Sequence, residues 1–508
     1  MALTTTLRMT AGLIFALALL PLFQATVRGE EPPLARAETL LAEGDELADA
    51  KKYTEALVAY KRAYELILPE VRKRPFRREV APRIMKRPAL QQYMAKEFAS
   101  KMTPQELLFL DRTVKLFGLA PPQLDVAEMM IGLFTEQVAG FYDSETKEMF
   151  LITEDAAQQP GFLDRLFGGE KEFDGEEQKV TLSHEMAHAL ADQHFRLSDM
   201  DSAMRDSEDA ALAVSALVEG EATLVMMAEL ARDRQGDGAE ALRLPPENVD
   251  RMFRMMRLAS SVGGGKAMRA APPFFRQSLV FPYHQGTVFV SHLANRDGWP
   301  AVDRAFQFPP ISTEQILHPE KYLDRAALDT PTQLTVPSLP TELQTWNKLG
   351  EDTLGEYQTQ LLLSSQLDGK RAAAGWDGDR YIVLQRPAGT EQADKVHGAA
   401  DSALLWITTW DSEADAEEFE ASFTVDATHR LKQPAGPSLE VTRAKINGDA
   451  SSAQRIAGGV RNHWSARRGK EVAVVEGLDD DLSQRLLPLL LSSRKSDWTY
   501  RLPPVEEP

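Results

Sequence analysis

His184, Glu185 and His188, within the run TLSHEMAHAL, are the residues whose types and spacing are best suited to chemistry. On an α-helix with 3.6 residues per turn, the two imidazoles lie one turn apart on one face and could share a metal at about 2.0–2.1 Å. Glu185 then falls beside the open coordination position. Zinc held there would acidify a water molecule, and Glu185 would take its proton. Only nine histidines occur in 508 residues, so an accidental HExxH is roughly a one-in-a-hundred event. The blander alternative is an amphipathic helix with two exposed histidines. Against it, Leu182, Met186, Ala189 and Leu190 form an apolar stripe opposite Thr181, His184, Glu185, His188 and Asp192.

A third ligand has competing candidates. His194 completes the spacing HExxHxxxxxH, which resembles the metzincin pattern HExxHxxGxxH, but Ala191 stands where that pattern turns the chain with glycine. On a continuing helix His194 sits about 120° around and about 9 Å along from His188, facing away. Glu219 and Glu221, in ALVEGEATLVM, lie on a second predicted helix. The spacing of Val214, Leu217, Val218, Glu221, Leu224 and Val225 turns Glu221 inward. Ala216, Glu219, Gly220 and Thr223 form a small-residue strip expected to lie against the HEMAH helix, Gly220 permitting close approach. On spacing alone, both glutamates stay open.

Glu219-Gly220-Glu221-Ala222 resembles the E-G-x-A segment that follows HExxH in gluzincin zinc peptidases, and this resemblance implies Glu219 as the third ligand beside His184 and His188. Phe281-Pro282-Tyr283-His284-Gln285-Gly286, running into TVFVSHL, is similar to the P-Y-x-x-G-x-x-F/L stretch of the aminopeptidase branch, and implies Tyr283 as hydrogen-bond donor to the oxyanion. The order of the three segments agrees, over about 184–290. PPISTEQILHPEKY and AAAGWDGDRY resemble segments of secreted bacterial HExxH proteins. Thr223 stands where some gluzincins carry an aspartate that orients a ligand histidine, so that role either passes to Asp192 or is weaker here. No G-x-M-E-N segment, which reads a free amino terminus in the aminopeptidases, precedes HEMAH, and this favours endopeptidase action.

The elements that must position these residues fit a mainly α chain with α+β parts: a zincin-like catalytic domain, a helical N-terminal hairpin and a small C-terminal α+β domain. Composition is that of a globular protein, 43% hydrophobic and 26% charged. Arg8 followed by the apolar run Ala11–Phe23 reads as a cleaved leader, expected over 1–29, with export to a periplasm or medium. No later run approaches 18 apolar residues, so no stable membrane span is expected after cleavage. Without any cysteine there are neither disulfides nor thiolate ligands. A net charge of −19, or −21 once Arg8 and Arg28 leave, argues against nucleic-acid binding.

Residues 30–70 read as two helices resembling a single tetratricopeptide repeat, a possible site for a protein partner. The catalytic unit is expected over 71–335. In it GFYDSETKEMFLIT reads as a β-hairpin, whose strand the gluzincin resemblance implies could pair with extended substrate or which is a sheet strand without a substrate role, and GGEKEFDGEEQK (168–179) reads as a polar connection. Met226, Met227, Met252, Met255 and Met256 could line a hydrophobic subsite or fill the core, and His318 could approach the metal or substrate or be structural. Residues 336–508 read as the C-terminal domain, with His397, His429 and His463 dispersed in it. The function expected is a secreted, zinc-dependent peptidase acting on a protein or peptide. Two alternatives are a binding or assembly protein with a structural zinc, which would not need Glu185, and a zinc hydrolase of non-peptide substrates.

Overall fold

The computed structural model describes residues 32–153, 175–204, 206–235, 243–260, 265–324, 328–366, 368–387, 401–432, 438–446 and 450–498. The expected leader and most of the 168–179 connection lie outside them. Helices and three sheets make a mixed α and β fold.

Helices α1 (Pro33–Asp49) and α2 (Tyr53–Arg72) form the N-terminal hairpin. They approach closely because Gly44 leaves room for Tyr60: a methyl group at Gly44 would stand 2.2 Å from the Tyr60 ring. Leu57, Tyr64, Ile67 and Leu68 of α2 share one core with Leu182, Met186, Leu190, Leu217 and Phe289. The expected boundary at 70/71 therefore falls inside a helix whose packing belongs to the body. Strand β1 (Ala81–Lys86) follows, then α3 (Arg87–Lys101), α4 (Pro104–Leu116) and α5 (Val126–Gln137), each starting at proline or a side-chain cap.

The expected hairpin forms from β2 (Gly140–Asp143) and β3 (Glu148–Thr153), with β1 parallel to β3 and β2 left at the sheet edge. Next come α6 (Gly175–Phe195), α7 (Glu208–Gln235), α8 (Pro246–Ser260) and α9 (Pro273–Asp297). Within α7, Glu208–Arg232 is long and apolar enough to cross a membrane by length and composition, at mean hydropathy 1.5, which corrects the expectation that no later run comes close. Its window is 72% buried inside the protein and it carries an ion pair, as a core helix does.

Past β4 (Thr332–Thr335) lies a seven-stranded antiparallel sheet. It comprises β5 (Asn347–Asp352), β6 (Trp376–Gln385), β7 (Ser402–Trp410), β8 (Glu440–Arg443), β9 (Ser452–Ala457), β10 (His463–Arg468) and β11 (Glu471–Glu476), in the order β5-β6-β7-β11-β10-β9-β8. One face carries Trp406 and Trp410 against Phe419 and Phe423 of α10 (Glu413–Arg430), and the other is covered by α11 (Asp480–Leu491) through Leu482, Leu486 and Leu490. The boundary expected at 335/336 also divides a unit, since β4 pairs with β12 (Arg494–Asp497). Helix α4, expected in the catalytic unit, places Leu116 and Phe117 on this sheet, and its Leu116 carbonyl accepts from Arg430 Nη1 at 2.8 Å and Arg461 Nη2 at 3.1 Å.

Candidate active site

Helix α6 runs without interruption through Ala191 to Phe195 and stops at Arg196, whose φ of 54° is left-handed. His184 and His188 consequently share a face, and their Nε2 atoms stand 3.0 Å apart. Glu219 Oε2, from α7, lies 3.1 Å from His184 Nε2 and 3.3 Å from His188 Nε2. Three donor atoms thus converge on one point, with both histidines buried.

The donor set fits a divalent cation. Ligands at about 2.0–2.1 Å on a tetrahedral ion are separated by about 3.3–3.4 Å, against 3.0, 3.1 and 3.3 Å between these atoms. Two imidazole Nε2 atoms and a carboxylate oxygen aimed at a common centre are the chemistry of a zinc site; without an ion, the two Nε2 atoms can face each other only with one donating its N–H to the lone pair of the other. A second acidic group, Glu314, Asp329 and Asp411, already surrounds Lys321 Nζ at 2.6, 3.0 and 2.8 Å. An ammonium fills that one.

Glu221 takes no part in the His184–His188–Glu219 cluster. Buried on the opposite side of α7, its Oε1 accepts from Arg72 Nε at 2.5 Å, and the Arg72 guanidinium also meets Asp303 Oδ1 at 2.7 Å and stacks 4.4 Å above the Trp299 ring. His194 points elsewhere too. Its Nε2 lies 2.8 Å from the Pro75 carbonyl and its Nδ1 3.3 Å from Arg74 Nη1. Asp192 does not orient a ligand histidine as expected. It binds Tyr142 OH, Lys147 Nζ and the Leu197 amide instead, and His184 Nδ1 has no hydrogen-bond partner among the described residues.

The expectation that Gly220 lies against the HEMAH helix needs correcting. Gly220 faces Gly286 of α9: a methyl at Gly220 would stand 2.2 Å from the Gly286 carbonyl carbon, and one at Gly286 2.0 Å from the Ala216 carbonyl oxygen. The two glycines let α7 and α9 cross with backbones in contact. One turn before Gly286, Tyr283 is thereby carried to the His184–His188–Glu219 cluster, where its hydroxyl donates to Glu219 and its ring lies 6.0 Å from that of His184. Pro282 sits inside α9 and does not end it.

Glu185 is buried beside the centre, and its Oε2 accepts the backbone N–H of Tyr142 at 2.7 Å. That amide belongs to the sheet-edge strand β2, and nothing in the sequence marked it. Burial raises the Glu185 carboxyl above the usual range, opposed by the neighbouring His188 and His184. Burial would raise Glu219 as well, but the two imidazoles hold it well below the ordinary carboxylate value. For His188 burial works downward, and the Glu219 charge overcomes it to push the imidazole up to about 9. Tyr283 is held well above a free phenol by burial and by the charges of Glu219 and Glu185, so its hydroxyl keeps its proton.

His318 bonds Glu356 Oε1 at 3.0 Å near the C-terminal domain, away from the cluster. The methionines do not share one surface: Met226 is core, whereas Met255 is 64% exposed. Residues 342–486 match a family described as a domain of unknown function (DUF8575), a span that covers the seven-stranded sheet and most of α11 and leaves the HEMAH, EGEA and PYHQG segments outside. No curated protein and no solved structure matches the chain.

Proposed function

We propose that this protein is a zinc-dependent peptidase with a zincin-like catalytic domain of gluzincin type, exported and acting as an endopeptidase. The observation that carries the reading is the convergence of His184 Nε2, His188 Nε2 and Glu219 Oε2 within 3.0–3.3 Å, beside a buried glutamate that is not a ligand. A purely structural zinc has no use for that glutamate, which speaks against the assembly-protein alternative.

Zinc, when bound by His184, His188 and Glu219, supplies a Lewis acid that acidifies water and polarises a carbonyl. Glu185 takes the proton of the attacking water and passes it to the departing amide nitrogen as the carbon–nitrogen bond breaks; its raised affinity for protons suits both halves of that task. Tyr283 turns its hydroxyl hydrogen from Glu219 to the carbonyl oxygen as negative charge builds there. Strand β2 favours a peptide over other hydrolysable substrates, because it lies at the edge of its sheet beside Glu185 and, with the Tyr142 N–H held by that carboxylate, still turns the Tyr142 carbonyl outward as an acceptor for an extended chain. Packing of the N-terminal hairpin into the body supports a role as scaffold more than as a free docking module.

The test is cleavage of a broad peptide library by protein of measured metal content. Glu185→Gln should keep about one zinc per chain and lose hydrolysis by roughly a hundredfold or more. Retained turnover in that variant, or no zinc in the wild-type protein, removes the proposal.

A further inference from the structure

The strand beside the base is tied to the HEMAH helix at two points by one residue. In the hairpin, Ala139 and Asp143 give their carbonyls to Ile152 and Lys147, so the alternation of the ladder leaves Gly140 and Tyr142 directed at the open edge. Tyr142 gives its N–H to Glu185 Oε2 at 2.7 Å, and its hydroxyl to Asp192 Oδ2 at 2.9 Å. Glu185 and Asp192 are seven residues apart, two turns of α6 on one face. Tyr142 therefore lies along the helix like a strap with both ends fastened.

The far anchor is built for holding. The Asp192 side chain is fully buried, its Oδ1 accepts the Leu197 amide at 3.1 Å just past the helix end, and its Oδ2 also receives Lys147 Nζ at 2.8 Å, with Arg78 Nη2 at 3.5 Å. Lys147, at the hairpin turn with φ of 62°, fastens the loop end of the same hairpin to the same carboxylate. The anchor thus fixes both Tyr142 and the turn that follows it.

We propose that Asp192 is a positioning residue for the general base, acting through Tyr142, and that the edge strand and Glu185 form one mechanical unit. This rests on the peptidase reading. With the Tyr142 amide on Oε2, rotation of the Glu185 carboxylate is restricted and Oε1 is left to face the reaction. Because the Tyr142 N–H is held by Glu185, a displacement of β2 moves the base with it, and the hydroxyl tie to Asp192 resists that displacement.

The test uses the full-length, zinc-loaded protein with Tyr142→Phe, Asp192→Asn and the double variant. Amide hydrogen exchange at 140–143 should quicken at least tenfold in Tyr142→Phe, with α6 amides and zinc content unchanged, because the hydroxyl tie is lost while the backbone amide remains. On the same peptide library kcat should fall about tenfold with KM within about twofold, a split that general loosening of the fold would not produce. The double variant should be no slower than Asp192→Asn alone. Wild-type exchange and kcat in Tyr142→Phe, or additive losses in the double variant, would overturn the strap. Should Asp192→Asn fail to fold, Tyr142→Phe decides alone. Absence of any cleavage by the wild-type protein overturns the peptidase reading and with it the role at the base, whatever the exchange rates show.

Discussion

Glu219 and Glu221 are two residues apart on α7, and on the proposed reading one holds the metal while the other neutralises Arg72, so a pair of single substitutions should separate metal binding from stability. Glu219→Gln removes one of three protein donors. If structural zinc sites with four ligands bind with roughly 10–16 kcal/mol, each ligand accounts for about 2.5–4 kcal/mol, so affinity should fall by roughly 70- to 900-fold. Glu221→Gln leaves the metal donors alone and strips the negative charge from a fully buried partner of Arg72. Breaking such a pair typically costs about 3–5 kcal/mol; because Asp303 still faces Arg72, the lower end is expected. With an unfolding entropy of about 2.1 cal/mol/K per residue over 508 residues, about 3 kcal/mol corresponds to a drop of roughly 3 °C in Tm. Zinc affinity from competition with a chromogenic chelator and Tm from calorimetry on metal-free protein report the two quantities independently. The reasoning fails if Glu221→Gln loses zinc while Glu219→Gln keeps it, or if both variants lose metal and stability in parallel.

Three further outcomes follow from the same geometry. Tyr283→Phe should leave zinc content unchanged and lower kcat by about 10- to 100-fold with little change in KM; a loss seen only in KM would remove its oxyanion role. Gly286→Ala puts a methyl 2.0 Å from the Ala216 carbonyl oxygen, so α9 must retreat by about 1.4 Å to reach normal contact. It should cost about 1–3 kcal/mol of stability and up to about a hundredfold in turnover, and a variant with wild-type Tm and rate would show that the crossing tolerates a side chain. Asp209 is buried beneath Thr313, and burial pushes its carboxyl up to about 8 despite hydrogen bonds from the Thr313 amide and hydroxyl. Folded protein therefore keeps a proton that the unfolded chain releases near 3.8, and the stability this contributes declines as pH rises toward 8, by at most about 1.4 kcal/mol per unit. Asp209→Asn should flatten that decline and be the more stable form at pH 9. Equal slopes for the two proteins in denaturant titrations across pH 5–9 would contradict it.

Much of the local structure was legible because it is set by neighbours in the chain. The uninterrupted run through Ala191 dictated that α6 continues, and with it that His194 turns away. The alternation in GFYD and EMFLIT dictated a hairpin. Periodicity correctly placed Glu221 inside, yet inside meant an ion pair with Arg72, 149 residues away in sequence. No local pattern distinguishes a buried face that meets a cation from one that meets a metal. The partner of Gly220 was hidden for the same reason: a glycine declares that something comes close, and only the fold says what. Asp192 was singled out for its place one turn beyond His188, but the hydrogen bonds it makes belong to a hairpin some fifty residues upstream.

The capping of the Leu116 carbonyl by Arg430 and Arg461 ties chain segments 314 and 345 residues apart. Val114 of α4 can pack on Val126 and Leu133 of α5 early, but closing a loop of that length contributes nothing until both ends exist, so the Leu116–Phe117 face has no sheet to settle on until β7, α10 and β11 have been synthesised. During synthesis, Phe117 and its neighbours must wait exposed, inviting association with other unfinished chains. A fragment cut to residues 342–486 would show the converse defect, since the side of Tyr381 and Trp406 that meets Phe117 would be open to water. The sheet domain is thus completed by a helix encoded far upstream of it, and native assembly of either half is a late event in the life of the whole chain.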